Sequence, residues 1–242
     1  MRTEKKISYF PLVIIGLFLL ITFSCAKNSE QMSPLPISDL TGNIYTEIPI
    51  GNQVWMMQNL NTTRYRNGDS IPTITDNTEW TTLNSGAQCN YMNIPAANSY
   101  YGRLYNWYAV NDPRNIAPSG WHIAQHLDYL VLETYMAKNP DASNSSAKIL
   151  AAQIDWVPSN VDYAVGNNLY MNDNSGFSAV PVGIRSGLDG SFSSFGLNGT
   201  WWTSTEFDPN TAWTRAINYN KSTIDRNKFN KTYGFSVRCV KD

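Results

Sequence analysis

The stretch Gly199-Thr200-Trp201-Trp202-Thr203-Ser204-Thr205-Glu206 lies in the C-terminal third of a chain of 242 residues. Aromatic and β-branched residues dominate it, and such residues favour strands. Successive side chains of a strand point to opposite faces of a sheet. We therefore expect Trp202 to lie in the core and its neighbour Trp201 to be exposed. Further along the chain, we expect Trp213 to lie in the core and Tyr219 to be the other candidate for an exposed aromatic ring.

Further β-like runs surround this stretch. Near the N-terminus, residues 43–50 and 53–60 alternate apolar and polar positions around Gly51-Asn52, a pair typical of a hairpin turn. Residues 120–123 fit a short strand. Closer to the C-terminus, β-like patterns cover residues 176–185, 212–219, 223–229 and 233–240.

Two segments have the apolar spacing of a helix, at residues 101–110 and 127–138, and Pro140 follows the second. Residues 146–152 fit a short third helix, whereas the polar, Asn-rich residues 61–98 favour long loops. These patterns predict an α+β domain with two main helices packed on small antiparallel sheets.

The N-terminus has the pattern of an export signal. Arg2, Lys5 and Lys6 precede an apolar run at residues 9–23, which is short for a membrane span and typical of a secretory signal. Ser24-Cys25 follows, and a small residue before cysteine resembles the lipobox of bacterial lipoproteins. We predict a signal peptide at residues 1–24, lipidation of Cys25, a flexible tether at residues 25–40 and one domain at residues 41–242.

Composition excludes several classes of protein. Charged residues make up 15% of the chain and the formal net charge is −1, which argues against a nucleic-acid partner because such proteins carry a basic surface. His122 and His126 are the only histidines. Ile123 stands where a metalloprotease helix requires glutamate, so we expect no metal site of that kind.

Four blocks carry a resemblance to a known family. They are residues 50–60 (IGNQVWMMQNL), 101–107 (YGRLYNW), 117–123 (APSGWHI) and 234–240 (GFSVRCV). Together with residues 199–206 they resemble the Fibrobacter succinogenes major paralogous domain, which occurs in exported proteins of Bacteroidetes. The resemblance implies a C-type-lectin-like or formylglycine-generating-enzyme-like fold and a place in the cell envelope, at the outer membrane.

The resemblance also indicates which motifs of the family and its superfamily this sequence lacks. The family pattern has a Ser or Thr helix cap after Trp121-His122-Ile123, where this chain has Ala124-Gln125. Lectins of this superfamily bind sugar through calcium, and Asp208-Pro209-Asn210 matches their motif poorly. No copper-binding cysteine pair is recognisable. We therefore expect no catalytic residues, no metal and no cofactor.

The remaining signal is a binding surface. Tyr and Trp rings stack on sugars and protein pockets, and Asn both donates and accepts hydrogen bonds. We predict that a glycan or protein ligand binds the C-terminal β region through Trp201, Tyr219, Asn218, Asn220 and Arg226. Alternative roles are a structural or assembly subunit of a surface complex, and a diversified surface receptor.

Two modifications are also predicted. Cys89 and Cys239 are the cysteines left beside Cys25, and in an exported protein they either pair or remain as two buried thiols. Asp69-Ser70-Ile71 fits a short pattern for O-glycosylation at Ser70. The membrane, through the lipid anchor, is the expected partner besides the ligand.

Overall fold

The computed structural model describes residues 36–95, 98–138 and 145–242, and Pro36–Asp242 forms one compact unit. The predicted signal peptide, Cys25 and most of the predicted tether lie outside the described residues.

Fourteen strands and five helices make up the described part of the chain. The strands are β1 (Ile37–Ser38), β2 (Ile44–Tyr45), β3 (Glu47–Ile50), β4 (Gln53–Met56), β5 (Gln88–Cys89), β6 (Leu104–Tyr105), β7 (Trp121–Ile123), β8 (Ile184–Arg185), β9 (Phe192–Ser193), β10 (Asn198–Glu206), β11 (Thr211–Asn218), β12 (Asp225–Asn230), β13 (Ser236–Val237) and β14 (Cys239–Lys241). The helices are α1 (Asn77–Thr81), α2 (Asn98–Tyr101), α3 (Trp107–Val110), α4 (His126–Ala137) and α5 (Ser146–Leu150).

Two four-stranded sheets organise the fold. Sheet I has the order β12-β11-β10-β13, with β13 parallel to β10 and the other pairs antiparallel. Sheet II has the order β3-β4-β14-β7 and is antiparallel throughout. The three pairs β1-β2, β5-β6 and β8-β9 form small two-stranded sheets around them.

Several predicted elements are confirmed. The Gly51-Asn52 turn joins β3 to β4, with Ile50 paired to Gln53. The helix predicted at residues 127–138 is α4, and the one at residues 146–152 is α5. The strands predicted at residues 212–219 and 223–229 are β11 and β12, within two residues at each end.

The predicted α+β class with two main helices is wrong. Within the described residues only α4 is longer than five residues, and the architecture is a set of small β-sheets in which no C-type-lectin-like fold is seen. Of the helix predicted at residues 101–110 only Trp107–Val110 (α3) forms beyond Tyr101, because Gly102 takes a left-handed φ of +75° and Leu104–Tyr105 pairs with β5. Strand pairing there outweighs local helical spacing.

Strand β10 of sheet I is buried on both faces over Gly199–Thr203. Trp202 lies on one face and packs against Phe235, with ring centroids 4.7 Å apart. Trp201 lies on the other face with Trp55 and Phe177. The expectation that Trp201 is exposed is therefore wrong, since its exposed fraction is only 1%. Alternation along the strand holds, but a second apolar layer covers the face that was expected to meet solvent.

The start of α4 has no local Ser or Thr cap, as the sequence indicates, and other groups supply the acceptors. Thr205 Oγ1, from β10, accepts a hydrogen bond of 2.9 Å from the backbone N–H of His126. Asp128 Oδ2 accepts from the backbone N–H of Gln125 at 2.7 Å. The end of β10 thus caps a helix distant in sequence, and the backbone N–H groups of Gln125 and His126 are satisfied.

Candidate functional site

A cleft of about 670 Å³ opens between α5 and the loop that follows it. Its volume lies within the range of small-ligand sites, roughly 300–1,000 Å³. Its lining includes Lys148, Asp162, Tyr163, Asn167, Asn168, Met171 and Asn174.

The turn between β11 and β12 supports both walls of the cleft. On the α5 side, the N–H of Ala147 donates to Ser222 O at 3.1 Å. On the loop side, Val165 N–H donates to Lys221 O at 3.1 Å, and Gly166 N–H donates to Tyr219 O at 2.6 Å. Sheet I therefore fixes the separation of the two walls through backbone hydrogen bonds.

Lys148 shapes the loop wall. Its Nζ donates to the backbone carbonyls of Ala164 at 3.3 Å, Asn168 at 3.0 Å and Asn167. These three bonds use every N–H of the ammonium group. Burial lowers the pKa of Lys148, since the charged form loses hydration. Lys148 thus positions the loop and has no donor left for a ligand.

The loop wall holds two non-glycine residues in the left-handed region, Tyr163 at φ 62° and Asn168 at φ 54°. Asn tolerates this region, whereas a tyrosine there costs about 1–2 kcal/mol. Such conformations cluster at ligand sites. The Tyr163 ring is 56% exposed although it lines a cleft, so the strained backbone presents an aromatic ring to solvent.

The chemistry of the cleft suits a ligand rich in hydroxyl groups. The Tyr163 ring offers an apolar surface for stacking, and Ile149 and Met171 extend the apolar lining. The side-chain amides of Asn168 and Asn174 are exposed there, and an amide both donates and accepts hydrogen bonds.

The five predicted ligand-binding residues are not gathered in one site. Trp201 is buried, and its Nε1 donates to Asn59 Oδ1 at 2.8 Å. Asn218 Nδ2 donates to Asp225 Oδ2 at 2.6 Å. Arg226 pairs with Glu133, and its Nε donates to Glu133 Oε2 at 2.8 Å.

The remaining two lie on the turn behind the cleft: Tyr219 is half-buried and Asn220 is exposed. The prediction thus reached the supporting turn but missed the lining itself. Gly166-Asn167-Asn168 begins three residues after Tyr163, and this turn signal near an aromatic residue was overlooked in the sequence.

Trp213 was predicted to be core, and that is wrong. It is partly exposed on the α4-facing side of sheet I, between the rings of His126 (centroids 4.7 Å apart) and Phe207 (5.1 Å). Lys228, its direct partner on β12, places Nζ 3.7 Å from the Phe207 ring centroid. This rim of sheet I is a second aromatic surface.

Cys89 and Cys239 are both free and buried, so the disulfide alternative is not what the structure has. They lie in different apolar clusters. Burial raises the pKa of Cys89 to about 11 and that of Cys239 to about 12. Ser70 is exposed beside Asp69, which pairs with Arg114 at 3.1 Å. Its O-glycosylation stays a prediction.

Metal-ligating side chains are not clustered: among the described residues no group of three or more His, Cys, Asp or Glu could hold a metal ion. His122 lies on β7 between Asp128 (3.1 Å) and Asp242 (2.8 Å). No helix in the part of the chain that the structure describes is long and apolar enough to span a membrane.

Comparison with protein families assigns the chain. The model of the Fibrobacter succinogenes major domain matches residues 48–241, most of the chain. The protein belongs to this family, as the sequence blocks indicated. No curated protein matches the sequence, and no solved structure matches the fold.

Proposed function

We propose that this protein is a lipid-anchored protein of the cell envelope that binds carbohydrate, without catalysis, in the cleft beside α5. The observation that carries the proposal is the exposed, strained Tyr163 ring together with the exposed amides of Asn168 and Asn174. Sugars present apolar ring faces and hydroxyl groups, and the cleft offers a partner for each.

The first test is a glycan-array screen of the full chain in detergent, with and without calcium. We expect binding that does not depend on calcium and that falls at least about tenfold in Tyr163→Ala, because the stacking ring is lost. Phe207→Ala is the matched control, since Phe207 is 45% exposed and lies at the rim of sheet I. Binding lost in Phe207→Ala and kept in Tyr163→Ala would move the site to that rim.

The lipid anchor rests on Ser24-Cys25 after the apolar run and needs its own test. In a bacterial host with lipoprotein processing, we expect the chain to fractionate with membranes and to incorporate labelled palmitate. Cys25→Ser would abolish both, because the acyl chains are what hold the domain at the bilayer. Membrane association and labelling that persist in Cys25→Ser would refute the anchor.

A second candidate role, as a subunit of a surface assembly, draws on α4. Leu127, Val131 and Tyr135 follow one another at helical spacing and are all exposed, and an apolar stripe of this kind marks contact surfaces. Chemical cross-linking in intact cells, compared with Val131→Glu, tests this role. Unchanged cross-linking in the variant would count against it.

A further inference from the structure

Five aromatic rings from three separate segments form a continuous surface strip. Tyr100 contacts Tyr101 at a centroid distance of 5.0 Å, and Tyr101 contacts Phe195 at 5.3 Å. Tyr91 then contacts Phe195 at 5.3 Å and Phe192 at 5.5 Å. We call these five residues the aromatic strip.

Much of this strip is open to solvent. The exposed fraction is 46% for Tyr100 and 43% for Phe195, and the other three rings are partly exposed. Rings of this kind ordinarily complete a core or meet a partner. The strip therefore presents ring surface that the described part of the chain leaves uncovered.

The only carboxylate that the structure places on a strip side chain is Asp155, whose Oδ2 accepts a hydrogen bond of 2.9 Å from the Tyr101 hydroxyl. Burial, followed by Asp155, raises the pKa of Tyr101 to about 12, so this hydroxyl stays protonated at neutral pH. No lysine or arginine pairs with Asp155 among the described residues. The strip is thus aromatic, with the exposed Asp155 carboxylate at its Tyr101 end. At its other end the buried Arg185 guanidinium packs 4.9 Å from the Phe192 ring centroid, so the charge that a ligand in solvent would meet is that of Asp155.

Hydrogen bonds tie the strip to the cleft. Gln153 Nε2 donates to Asn172 O at 3.1 Å, which sets the segment leading to Asp155 beside the segment that holds Met171 of the cleft. Val157 N–H donates to Gly196 O at 2.9 Å, which joins the start of the cleft loop to the residue after Phe195. These two links place the segments that carry the strip beside the segments that carry the cleft.

We propose that the aromatic strip is a second subsite of the carbohydrate-binding surface, and that the ligand is an uncharged polysaccharide held at the cleft and along the strip together. This inference rests on the proposed function and adds the length and charge of the ligand. Flat rings in series accept successive sugar rings, and a second contact on one chain raises the affinity by effective concentration. Asp155 disfavours an acidic polymer, because like charges repel.

The test is isothermal titration calorimetry of the full chain in detergent with cello-, xylo-, manno- and chito-oligosaccharides of two to eight sugars. We expect at least one series to bind, with affinity rising about tenfold or more from two sugars to six or more. Oligomers of galacturonic acid should bind more weakly than neutral oligomers of the same length.

Variants separate the two subsites. Phe195→Ala and Tyr100→Ala should each reduce the gain with length while leaving disaccharide affinity unchanged, and Tyr163→Ala should weaken every length. Phe207→Ala is again the control, and circular dichroism with thermal melting verifies that each variant is folded. Two strip variants are used so that a folding defect in one leaves the other informative.

Three outcomes would overturn the inference. Equal affinity for all lengths, or a gain with length that both strip variants retain, would remove the strip from the site while the cleft stands. Preferential binding of the acidic oligomers would overturn the assignment of an uncharged polymer. Absence of binding by all the oligosaccharides, with array silence, would overturn the proposed function together with this inference, and would turn attention to a protein ligand.

Discussion

Arg238 Nε donates a hydrogen bond of 2.7 Å to Asn59 Oδ1, and both side chains are buried. The same oxygen accepts from Trp201 Nε1. Arg238 donates further to backbone carbonyls, with Nη1 bound to Met56 O and Phe177 O at 2.8 Å each. No carboxylate is among its hydrogen-bond partners in the described residues, and burial lowers the pKa of Arg238 to about 10. Carbonyl dipoles therefore hold a buried cation and join sheet II to β10.

Removing either member of this pair should destabilise the fold strongly. Asn59→Leu leaves the Arg238 and Trp201 donors without their acceptor, and we expect a loss of about 3 kcal/mol in unfolding free energy. Arg238→Met removes the charge but leaves several backbone carbonyls without a hydrogen-bond donor. We expect it to lower the unfolding free energy by a similar amount. The double variant should lose less than the sum, because the two residues share one interaction.

Urea unfolding of the four proteins measures this cycle. Arg64→Met and Asn220→Leu are the matched controls, since both residues are exposed, and each should change stability by less than about 0.5 kcal/mol. Additive losses in the double variant would show that the two residues act independently.

Gly102 should tolerate no side chain. Its φ is +75°, and a Cβ there would lie 2.7 Å from Asn59 Cβ and 2.9 Å from Leu60 O. Gly68 also has a left-handed φ, of +94°, but a Cβ there meets nothing within 4 Å. Gly68→Ala should cost about 1–2 kcal/mol through backbone strain alone. Gly102→Ala should cost more, because backbone must shift as well, and thermal unfolding of both variants compares them. Equal melting temperatures would contradict the close approach.

Both buried thiols should be present and unreactive in the folded protein. Their raised pKa values keep Cys89 and Cys239 protonated at neutral pH, and the thiolate is the reactive form. We expect no iodoacetamide labelling at pH 8 under native conditions, and labelling of both after denaturation without reductant. Mass spectrometry of the digested protein measures the labelling. A linked pair of Cys89 and Cys239 peptides, two mass units lighter than the two free peptides together, would refute the free thiols.

Asp173 should make stability depend on pH in the acid range. Burial raises the pKa of this carboxyl above its ordinary value of 3.8, although hydrogen bonds from Ser178 oppose the shift. Between the ordinary value and the raised one, the folded state therefore holds more protons than the unfolded state. The contribution of Asp173 to stability is fully present below pH 3.8 and is lost as the pH rises through the folded value.

The difference in unfolding free energy between the wild type and Asp173→Asn isolates this effect. As the pH rises from about 3.5 to 6.5, the wild type should lose stability relative to Asp173→Asn, because asparagine does not titrate. Urea unfolding across that range measures it. A difference that stays constant with pH would mean that the pKa of Asp173 is the same in the folded and unfolded states.

Local patterns predicted the elements whose signals are local. The β3–β4 turn follows from Gly51-Asn52, and α4 follows from its apolar spacing and the nearby Pro140. Residues 176–185 were predicted to be a strand, yet only Ile184–Arg185 forms one, and Ala179 and Gly183 make isolated bridges. A strand forms only where another strand lies beside it, and a single sequence does not show which segments will be neighbours.

The site was harder to predict for the same reason. Trp201 looked exposed because its neighbour Trp202 was assigned to the core, and nothing local indicates a second apolar layer. The cleft depends on the turn between β11 and β12 meeting α5 and the loop at Tyr163, three segments far apart in sequence. Aromatic and Asn enrichment suggested recognition chemistry, but which of these residues lie together depends on tertiary contacts.

The place of β14 in sheet II determines when that sheet can be completed during synthesis. Residues Cys239–Lys241 lie between β4 and β7, so within sheet II an early strand and a middle strand are paired through the last strand. A ribosome-bound chain that stops before Cys239 lacks the strand that pairs with both β4 and β7. Sheet II is therefore completed only after synthesis has reached the last strand.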